Sequence, residues 1–350
     1  MAATTTPTTP TAPRPAPTRV RRVGLMHGLL GRPELASVAG CLLVFLFFAV
    51  VAGDNGFLSK DGTASYLEVA AQVGIVGVPV ALLMISGEFD LSVGSMVGAA
   101  GMIIAITTSE FTWPLWAGIV LAFAVAIAVG LFNGYVVVKT GLPSFIVTLG
   151  MLFALRGATI GLSRVITDRT QLSMWPPFMD GFIHDVFAGK IGPFAASIFW
   201  WIALVAVASY VLTKTVFGNW ITCTGGDKTA ARNVGVPVSR VKILGFVGTA
   251  TAAALLATIQ VMDAGSADVL RGNLLELQAI AAAVIGGVLL TGGYGTVIGA
   301  AFGALIFGMV QQGIFFTGVD TDWFQLFVGA MILLAVLFNN TIRKRAAEAH

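Results

Sequence analysis

Two carboxylates, Glu88 and Asp90, lie close together in the segment Gly87–Gly94 (GEFDLSVG), between two long apolar stretches. No positive charge is near them in the sequence. Because a carboxylate at membrane depth is costly, such residues usually serve a function. One interpretation is an ordinary helix–turn–helix at the membrane surface, in which Ser92 caps the second helix and its free N–H groups stabilise Asp90. The other is a broken helix that lines a polar pathway or supports a gate.

Other polar side chains lie within or at the ends of apolar stretches. Arg156 is near the outer end of the stretch 144–161, where its long side chain either reaches the membrane interface or pairs with an acidic group. Uncharged polar residues in such places form hydrogen bonds between helices or contact a hydroxylated solute. These residues are Asn133, Gln260, Gln278, Gln311 and Gln312. The candidates for a pathway or gate are Glu88, Asp90, Ser92, Asn133, Thr148, Arg156 and Gln278.

One long polar and basic run, Thr224–Lys242, interrupts the apolar sequence. It must lie in water, and its basic character places it on the cytoplasmic side of a membrane. The fragment from Gly225 to Thr229 resembles a phosphate-binding loop only superficially, because that loop requires a lysine directly after the glycine. The three histidines are too dispersed for a metal site. We therefore predict no catalytic residue, nucleotide site or metal site in this chain.

The composition is that of an integral membrane protein. Of 350 residues, 57% are hydrophobic and 11% are charged, whereas roughly a quarter are charged in soluble domains. Apolar runs of about 20 residues predict membrane helices rather than the alternating strands of a barrel. Cys41 and Cys223 are predicted to be structural thiols that form no disulfide. The sequence pI near 9.0 follows from basic cytoplasmic loops, so no nucleic-acid partner is needed.

We predict an all-α polytopic protein of about ten transmembrane helices, with both termini in the cytoplasm. Residues 1–34 form a disordered cytoplasmic arm, 35–340 the transmembrane domain and 341–350 a cytoplasmic tail. The predicted spans are 36–53, 67–86, 91–108, 114–138, 144–161, 193–213, 243–262, 278–290, 296–317 and 324–340. Because the span 278–290 is short, a half-helix followed by re-entry at Thr291–Gly295 is an alternative there.

The chain contains a weak internal repeat. Gly134 and Gly313 are 179 residues apart, and Gly150 and Gly329 have the same separation. The turn in the first copy carries Lys139, whereas the turn in the second is acidic, so the two halves have opposite orientations. An inverted repeat of this kind is typical of transporters, with the pathway between the halves.

Glycines recur in both predicted halves. We expect the turn Gly292–Thr296 to take the place of Gly87–Gly94 in the second copy, since glycine permits a tight bend. Each copy also has a Gly-xxx-Gly face, Gly94 with Gly98 and Gly299 with Gly303. Such faces let helix backbones approach closely.

Four motifs, taken in order, are similar to one known family. They are GEFDLSVG at 87–94, Asn133-Gly134 with Leu142–Met151 and Arg156-Gly157, Thr224–Asp227 with Ala230–Arg232 and Gly235, and Ala279–Gly287 with Gly292–Thr296. Together they resemble the ribose-type permeases that import monosaccharides in ATP-binding-cassette (ABC) systems, over about residues 35–340. The pair Glu88-Phe89 departs from the family, which commonly has a glycine and an aliphatic residue there.

The resemblance implies a homodimer in the cell membrane, a cytoplasmic ABC ATPase that binds ATP and Mg²⁺, and an extracytoplasmic sugar-binding protein. It implies no cofactor on this chain. The central loop resembles a coupling helix that docks into the ATPase. Independently, the charged stretch between Gly225-Gly226 and Gly235 predicts a short helix between breakers, with a plain solvated loop as the alternative. The implied ATPase contacts are Gly225, Gly226, Asp227, Lys228, Ala230, Ala231, Arg232 and Gly235.

The expected function is inward transport of a pentose or hexose through the dimer interface, with no catalysis in this chain. One alternative is a related importer for a nucleoside, a polyol or a signalling sugar. A second alternative is a transporter driven by an ion gradient, with Glu88 and Asp90 as its ion site. A gradient-driven transporter has no reason to present a docking helix, so the central loop favours the ABC importer.

Overall fold

The computed structural model describes residues 33–174 and 181–320, and scattered positions from 323 to 333. Helices make up most of this part of the chain. They are α1 (Pro33–Val51), α2 (Lys60–Ile85), α3 (Val93–Ser109), α4 (Leu115–Thr140), α5 (Ser144–Thr167), α6 (Phe182–Ala188), α7 (Ala196–Lys214), α8 (Val216–Gly226), α9 (Lys228–Asn233), α10 (Val238–Ala264), α11 (Leu275–Ile285) and α12 (Val297–Thr317). A π-helical turn, Gly53–Phe57, follows α1. The strands are β1 (Gln171–Ser173), β2 (Lys190–Ile191), β3 (Phe194–Ala195) and β4 (Ser266–Asp268).

Six of these helices are long and apolar enough to cross a membrane, namely α2, α4, α5, α7, α10 and α12. Three shorter apolar helices, α1, α3 and α11, lie between or beside them. Nine of the predicted spans each coincide with one of these helices, which confirms a polytopic helical membrane protein. The tenth span, 324–340, lies largely outside the described residues, as do the predicted arm and tail.

The buried centre of the fold is formed by α2, α3, α10 and α12. α2 packs along α12, and α10 packs along α4. Small residues allow this: a Cβ added at Gly308 of α12 would lie 2.4 Å from the carbonyl oxygen of Tyr66 in α2. In a membrane, such close backbone packing supplies much of the attraction between helices. α4, α5 and α7 instead expose many apolar side chains, which face lipid or another chain.

Both predicted Gly-xxx-Gly faces lie at close backbone contacts, as expected. A Cβ added at Gly98 of α3 would lie 2.6 Å from the carbonyl oxygen of Val269. A Cβ added at Gly303 of α12 would lie 1.9 Å from the carbonyl oxygen of Ala282 in α11. Any larger residue at these two positions would push neighbouring backbone apart.

Two irregular segments precede helices. Residues 86–92 precede α3, and residues 265–274, which include the short strand β4, precede α11. α11 has 11 residues and is therefore about 16 Å long, compared with about 30 Å for the hydrocarbon core. The segment 286–296 follows it and turns on glycines with positive φ, at Gly287, Gly292 and Gly293. This short helix agrees with the half-helix alternative, although it begins at Leu275 rather than at residue 278.

Four short strands correct the all-α prediction. β1 pairs antiparallel with β4, with Leu172 opposite Ala267, and β2 pairs with β3. Since β1 follows α5 whereas β4 follows α10, the first pairing joins distant parts of the chain. Each strand has only two or three residues, too few for a recognisable alternating pattern.

Candidate functional site

Asp90 lies in the irregular segment 86–92 and is fully buried. Its Oδ1 accepts hydrogen bonds from the backbone N of Ser92 (2.9 Å) and from its Oγ (2.6 Å). Its Oδ2 accepts one from Oγ1 of Thr249 on α10 (2.6 Å). A buried carboxylate needs such donors in place of water. Ser92 is the N-cap residue of α3 and its backbone N–H stabilises Asp90, as in the first interpretation, but its side chain makes no capping hydrogen bond because its hydroxyl is bound to Asp90.

The same segment is attached to α4 and α5. Nδ2 of Asn133 on α4 donates to Oγ of Ser92 (3.0 Å). On α5, Oγ1 of Thr148 accepts a hydrogen bond from the backbone N of Leu91 (3.1 Å). The structure therefore brings together four of the predicted pathway or gate residues, namely Asp90, Ser92, Asn133 and Thr148. A buried and connected polar network of this kind favours one defined geometry of the segment.

Glu88 forms an ion pair with Lys242, near the start of α10. The Lys242 and Glu88 side chains are 13% and 9% exposed, so salt screens the pair only weakly. The sequence shows no countercharge near Glu88 because Lys242 is 154 residues away. Together with the bond from Thr249 to Asp90, the ion pair attaches segment 86–92 to α10 at two points.

Arg156 lies in the middle of α5, since this helix continues to Thr167. Its Cα is about 18 Å along the axis from Ser144 and about 16 Å from Thr167. This distance from both helix ends disfavours the interpretation that Arg156 reaches the membrane interface. Its Nη1 instead donates to Oδ1 of Asn273 (2.8 Å). Gln278, half-buried on α11, lies outside the network around Asp90.

The central loop contains the predicted short helix, α9. Asp227 caps it, because its Oδ1 accepts hydrogen bonds from the backbone N of Thr229 (2.8 Å) and of Ala230 (3.0 Å). These bonds hold the pKa of Asp227 below its usual value, since they favour the ionised carboxylate. The helix ends in a turn in which Gly235 has a φ of +87°. Glycine adopts this conformation without strain.

The surface of α9 is largely exposed. Ala231 is the buried residue of the helix and packs with Val236 and Val238. The other residues predicted to contact an ATPase are exposed, apart from the half-buried Gly225. They are Gly226, Asp227, Lys228, Ala230, Arg232 and Gly235.

Gly225 ends α8 together with its neighbour Gly226, which corrects the expectation that these glycines begin the short helix. A Cβ added at Gly225 would lie 1.8 Å from the carbonyl oxygen of Ile85, the last residue of α2. That oxygen accepts a hydrogen bond from the backbone N of Gly293 (2.8 Å). Three chain segments therefore meet backbone to backbone. We call this contact the glycine junction, and it comprises 85–87, 225–226 and 292–293.

Metal and disulfide chemistry were not expected at this site. Among the described residues, no group of three or more His, Cys, Asp or Glu side chains could hold a metal ion. Cys41 and Cys223 are free thiols. The candidate site thus consists of hydrogen bonds and ion pairs between helices, and a short exposed helix joined to them.

Several known proteins are similar to this chain over most of its length. A family model described as the permease component of branched-chain amino acid transport systems matches residues 62–336. The chain is 30% identical to the xylose transport system permease protein of Escherichia coli K12, over 88% of this chain and 92% of that protein. It is 31% identical to the fructose import permease protein of Rhizobium meliloti, over 92% of this chain and 89% of that protein. It is 33% identical to the L-arabinose ABC transporter permease protein of Azospirillum brasilense, over 89% of this chain and 90% of that protein.

The chain belongs to the monosaccharide permease family of ABC transporters. Its relatives are permease subunits and not enzymes. With its six long apolar helices, the permease is a multi-pass protein of the inner membrane. No solved structure matches the chain.

Four residues of the permease that sequence analysis missed lie beside the predicted site residues, namely Lys242, Thr249, Asn273 and Glu276. Lys242 and Thr249 approach segment 86–92 only through the packing of α10, which no local pattern reveals. Glu276 did carry a recognisable pattern. It is an acidic residue between Leu275 and Leu277, directly before a predicted span, and the rule that identified Glu88 applies to it equally.

Proposed function

We propose that this permease is the membrane-spanning subunit of an ABC importer that moves a pentose or hexose into the cell. The xylose, fructose and L-arabinose permeases among its relatives support a monosaccharide as the solute. An extracytoplasmic protein delivers the sugar to the outer face. A cytoplasmic ATPase binds ATP and Mg²⁺ and supplies the energy, and this chain binds no cofactor.

The observation that carries the proposal is the direct link between α9 and the glycine junction. A helix that docks into an ATPase must be exposed on its outer side and firmly connected on its inner side. α9 exposes Lys228 and Arg232, and Asp227 alone separates it from the glycines that end α8. A displacement of α9 therefore reaches the end of α2 through backbone contact. The proposed ATPase contacts are Gly225, Gly226, Asp227, Lys228, Ala230, Ala231, Arg232 and Gly235.

We also propose that the two halves form an inverted repeat with the offset of 179 residues. Adding 179 to the residue numbers of α2 gives 239–264, which agrees with Val238–Ala264 for α10. The same offset moves α3 to 272–288 and α4 to 294–319, which overlap α11 and α12. The packing follows the same scheme, since α2 packs on α12 as α10 packs on α4. In this register Gly87 lies opposite Ser266, and not opposite Gly292. A tenth helix within 324–340, with both termini in the cytoplasm, completes the scheme.

A homodimer that encloses the pathway is the proposed assembly. The exposed apolar surfaces of α4 and α5 support it, because they include large side chains that are more than half exposed. Examples are Phe132 (55%), Tyr135 (59%), Phe145 (53%) and Phe153 (66%). With the two copies rocking about this interface, segment 86–92 acts as a rigid part of the gate. Its residues Glu88, Asp90 and Ser92, with Asn133 and Thr148, hold it against α4, α5 and α10.

The alternative of an ion-driven transporter receives less support from these contacts. An ion site requires carboxylate oxygens that a cation can reach. Both oxygens of Asp90 already accept hydrogen bonds, and Glu88 is paired with Lys242. Nucleosides, polyols and signalling sugars remain within the proposed mechanism as other neutral solutes.

The experiment is co-purification of the full-length permease with the ATPase encoded beside it, followed by measurement of ATP hydrolysis and of sugar uptake. Asp227→Lys removes the cap of α9 and reverses its charge, so we expect a stable permease with most uptake lost. Asp227→Asn is the matched control, because asparagine caps a helix as well as aspartate does. Normal uptake by Asp227→Lys at equal protein level would refute docking at α9. Uptake that stops when the ion gradient is dissipated, with ATP still present, would favour the ion-driven alternative.

A further inference from the structure

Glu276 is an ionisable residue inside the transmembrane domain, in the first turn of α11, and it is only 5% exposed. Its Oε2 is buried and has no hydrogen-bond partner among the described residues. That oxygen lies 2.0 Å from the position of a Cβ added at Gly94, so it points at the first turn of α3. A buried carboxylate oxygen without a partner is costly unless it serves a function.

Arg156 approaches the same place from α5. Its charge acts on Glu276, yet the two side chains, both within the described part of the chain, form no ion pair. Nη1 of Arg156 is bound to Asn273, whereas its Nε is buried and unpaired. Arg156 is half-buried and Asn273 is exposed. The cluster of Arg156, Asn273 and Glu276 therefore opens on one side to the surface of the chain, next to α5.

Two interrupted helices begin at this cluster. α3 starts at Val93 and α11 at Leu275, and Gly94 touches the backbone of Gly272. Free N–H groups and positive dipole ends at both starts stabilise the negative charge of Glu276 without binding its Oε2 directly. In transporters, the ends of interrupted helices inside the membrane commonly form the solute site. Since Arg156 is at the middle of α5, the cluster lies far from both ends of that helix.

We propose that Arg156, Asn273 and Glu276 bind a neutral, polyhydroxylated solute during its passage through the membrane. Oε2 of Glu276 accepts a hydrogen bond from one solute hydroxyl, and Arg156 donates to a second. One guanidinium and one carboxylate give the cluster no net charge, which fits a neutral sugar and disfavours a phosphorylated one. This inference rests on the proposed function and assigns its solute site.

The first test measures occupancy of the cluster directly. Leu274→Cys, next to Asn273 and 41% exposed, is introduced into the full-length permease with Cys41→Ser and Cys223→Ser, and the importer is reconstituted in proteoliposomes with its ATPase and sugar-binding protein. The rate of thiol labelling is measured with and without D-xylose, D-fructose or L-arabinose, whichever the wild type transports. We expect the transported sugar to slow labelling several-fold, and its phosphate ester to have no effect. Val207→Cys, at an exposed position of α7 (63%), is the control and should be unaffected by sugar.

The second test is transport kinetics. Glu276→Gln keeps the shape of the side chain and removes its charge, and we expect the sugar concentration for half-maximal uptake to rise about tenfold. Glu68→Gln, a half-buried carboxylate of α2, is the control and should match the wild type. Unchanged kinetics of Glu276→Gln, or labelling of Leu274→Cys at a rate that does not depend on the transported sugar, would overturn the assignment. If the wild type shows no ATP-dependent uptake of any sugar, the proposed function itself is wrong. If Glu276→Gln fails to accumulate, the labelling experiment decides.

Discussion

At the scale of single residues, Asp90 depends on hydrogen bonds from two parts of the chain. Ser92 supplies two of them from the same turn, whereas Thr249 supplies the third from α10. Hydrogen bonds to a charged group are worth more than those between neutral groups, typically about 1.5–3 kcal/mol. The bond from Thr249 is therefore a substantial part of what holds segment 86–92 against α10.

Thr249→Val tests this contribution. The substitution keeps the shape of the side chain but removes the donor, so we expect the free energy of unfolding to fall by about 2 kcal/mol. Thr251→Val is the matched control, because Oγ1 of Thr251 bonds only to carbonyl groups of its own helix. Thermal unfolding of the detergent-extracted protein is the measurement. Equal melting temperatures for the two variants would show that Asp90 does not need Thr249.

At the scale of elements, the glycine junction connects the central loop, which contains α9, to the membrane helices through backbone alone. Side chains can rotate to absorb a displacement, whereas packed backbones cannot. The ends of α2 and α8 and the segment before α12 should therefore move as one unit. This gives α9 a direct connection to segment 86–92, which begins immediately after α2.

Gly225→Ala tests the junction. The added methyl group would collide with the carbonyl oxygen of Ile85 at 1.8 Å, so the segments must separate. We expect ATP hydrolysis to continue while uptake falls about tenfold or more. Gly226→Ala is the matched control, since a Cβ there meets nothing within 4 Å, and it should transport normally. Equal uptake by both variants, at equal amounts in the membrane, would rule out a mechanical role for the junction.

The sequence predicts the helices well and their mutual contacts poorly, for a physical reason. Hydrophobic length identifies each span, and Asp227, Gly235 and Pro237 mark the limits of α9 through local chemistry. The pairing of Glu88 with Lys242 depends instead on how α10 packs, which no local pattern encodes. The predicted stretch 144–161 ends before Arg164, whereas α5 continues to Thr167, so Arg156 lies closer to the middle of the helix than the sequence indicated.

At the scale of the whole molecule, the alternation of the helices across the membrane is testable without knowledge of the solute. We expect a cysteine at Ile191, which is 69% exposed, to react with a membrane-impermeant maleimide added outside intact cells. A cysteine at Leu142, which is 48% exposed, should react only after the cells are opened. Both variants are made with Cys41→Ser and Cys223→Ser. The reverse pattern would invert the proposed topology and remove the ATPase from the side of α9.

The bond between Arg156 and Asn273 has a consequence for how the cell makes this protein. A charged arginine at a helix centre costs about 2.5–3.5 kcal/mol during insertion by the translocon. Its partner is 117 residues later in the chain, which is about 6–23 s of synthesis at about 5–20 residues per second. During that interval the guanidinium of Arg156 lacks its hydrogen bond to Asn273. Biogenesis of the protein should therefore depend on an insertase or on delayed release of α5 until α11 emerges from the ribosome.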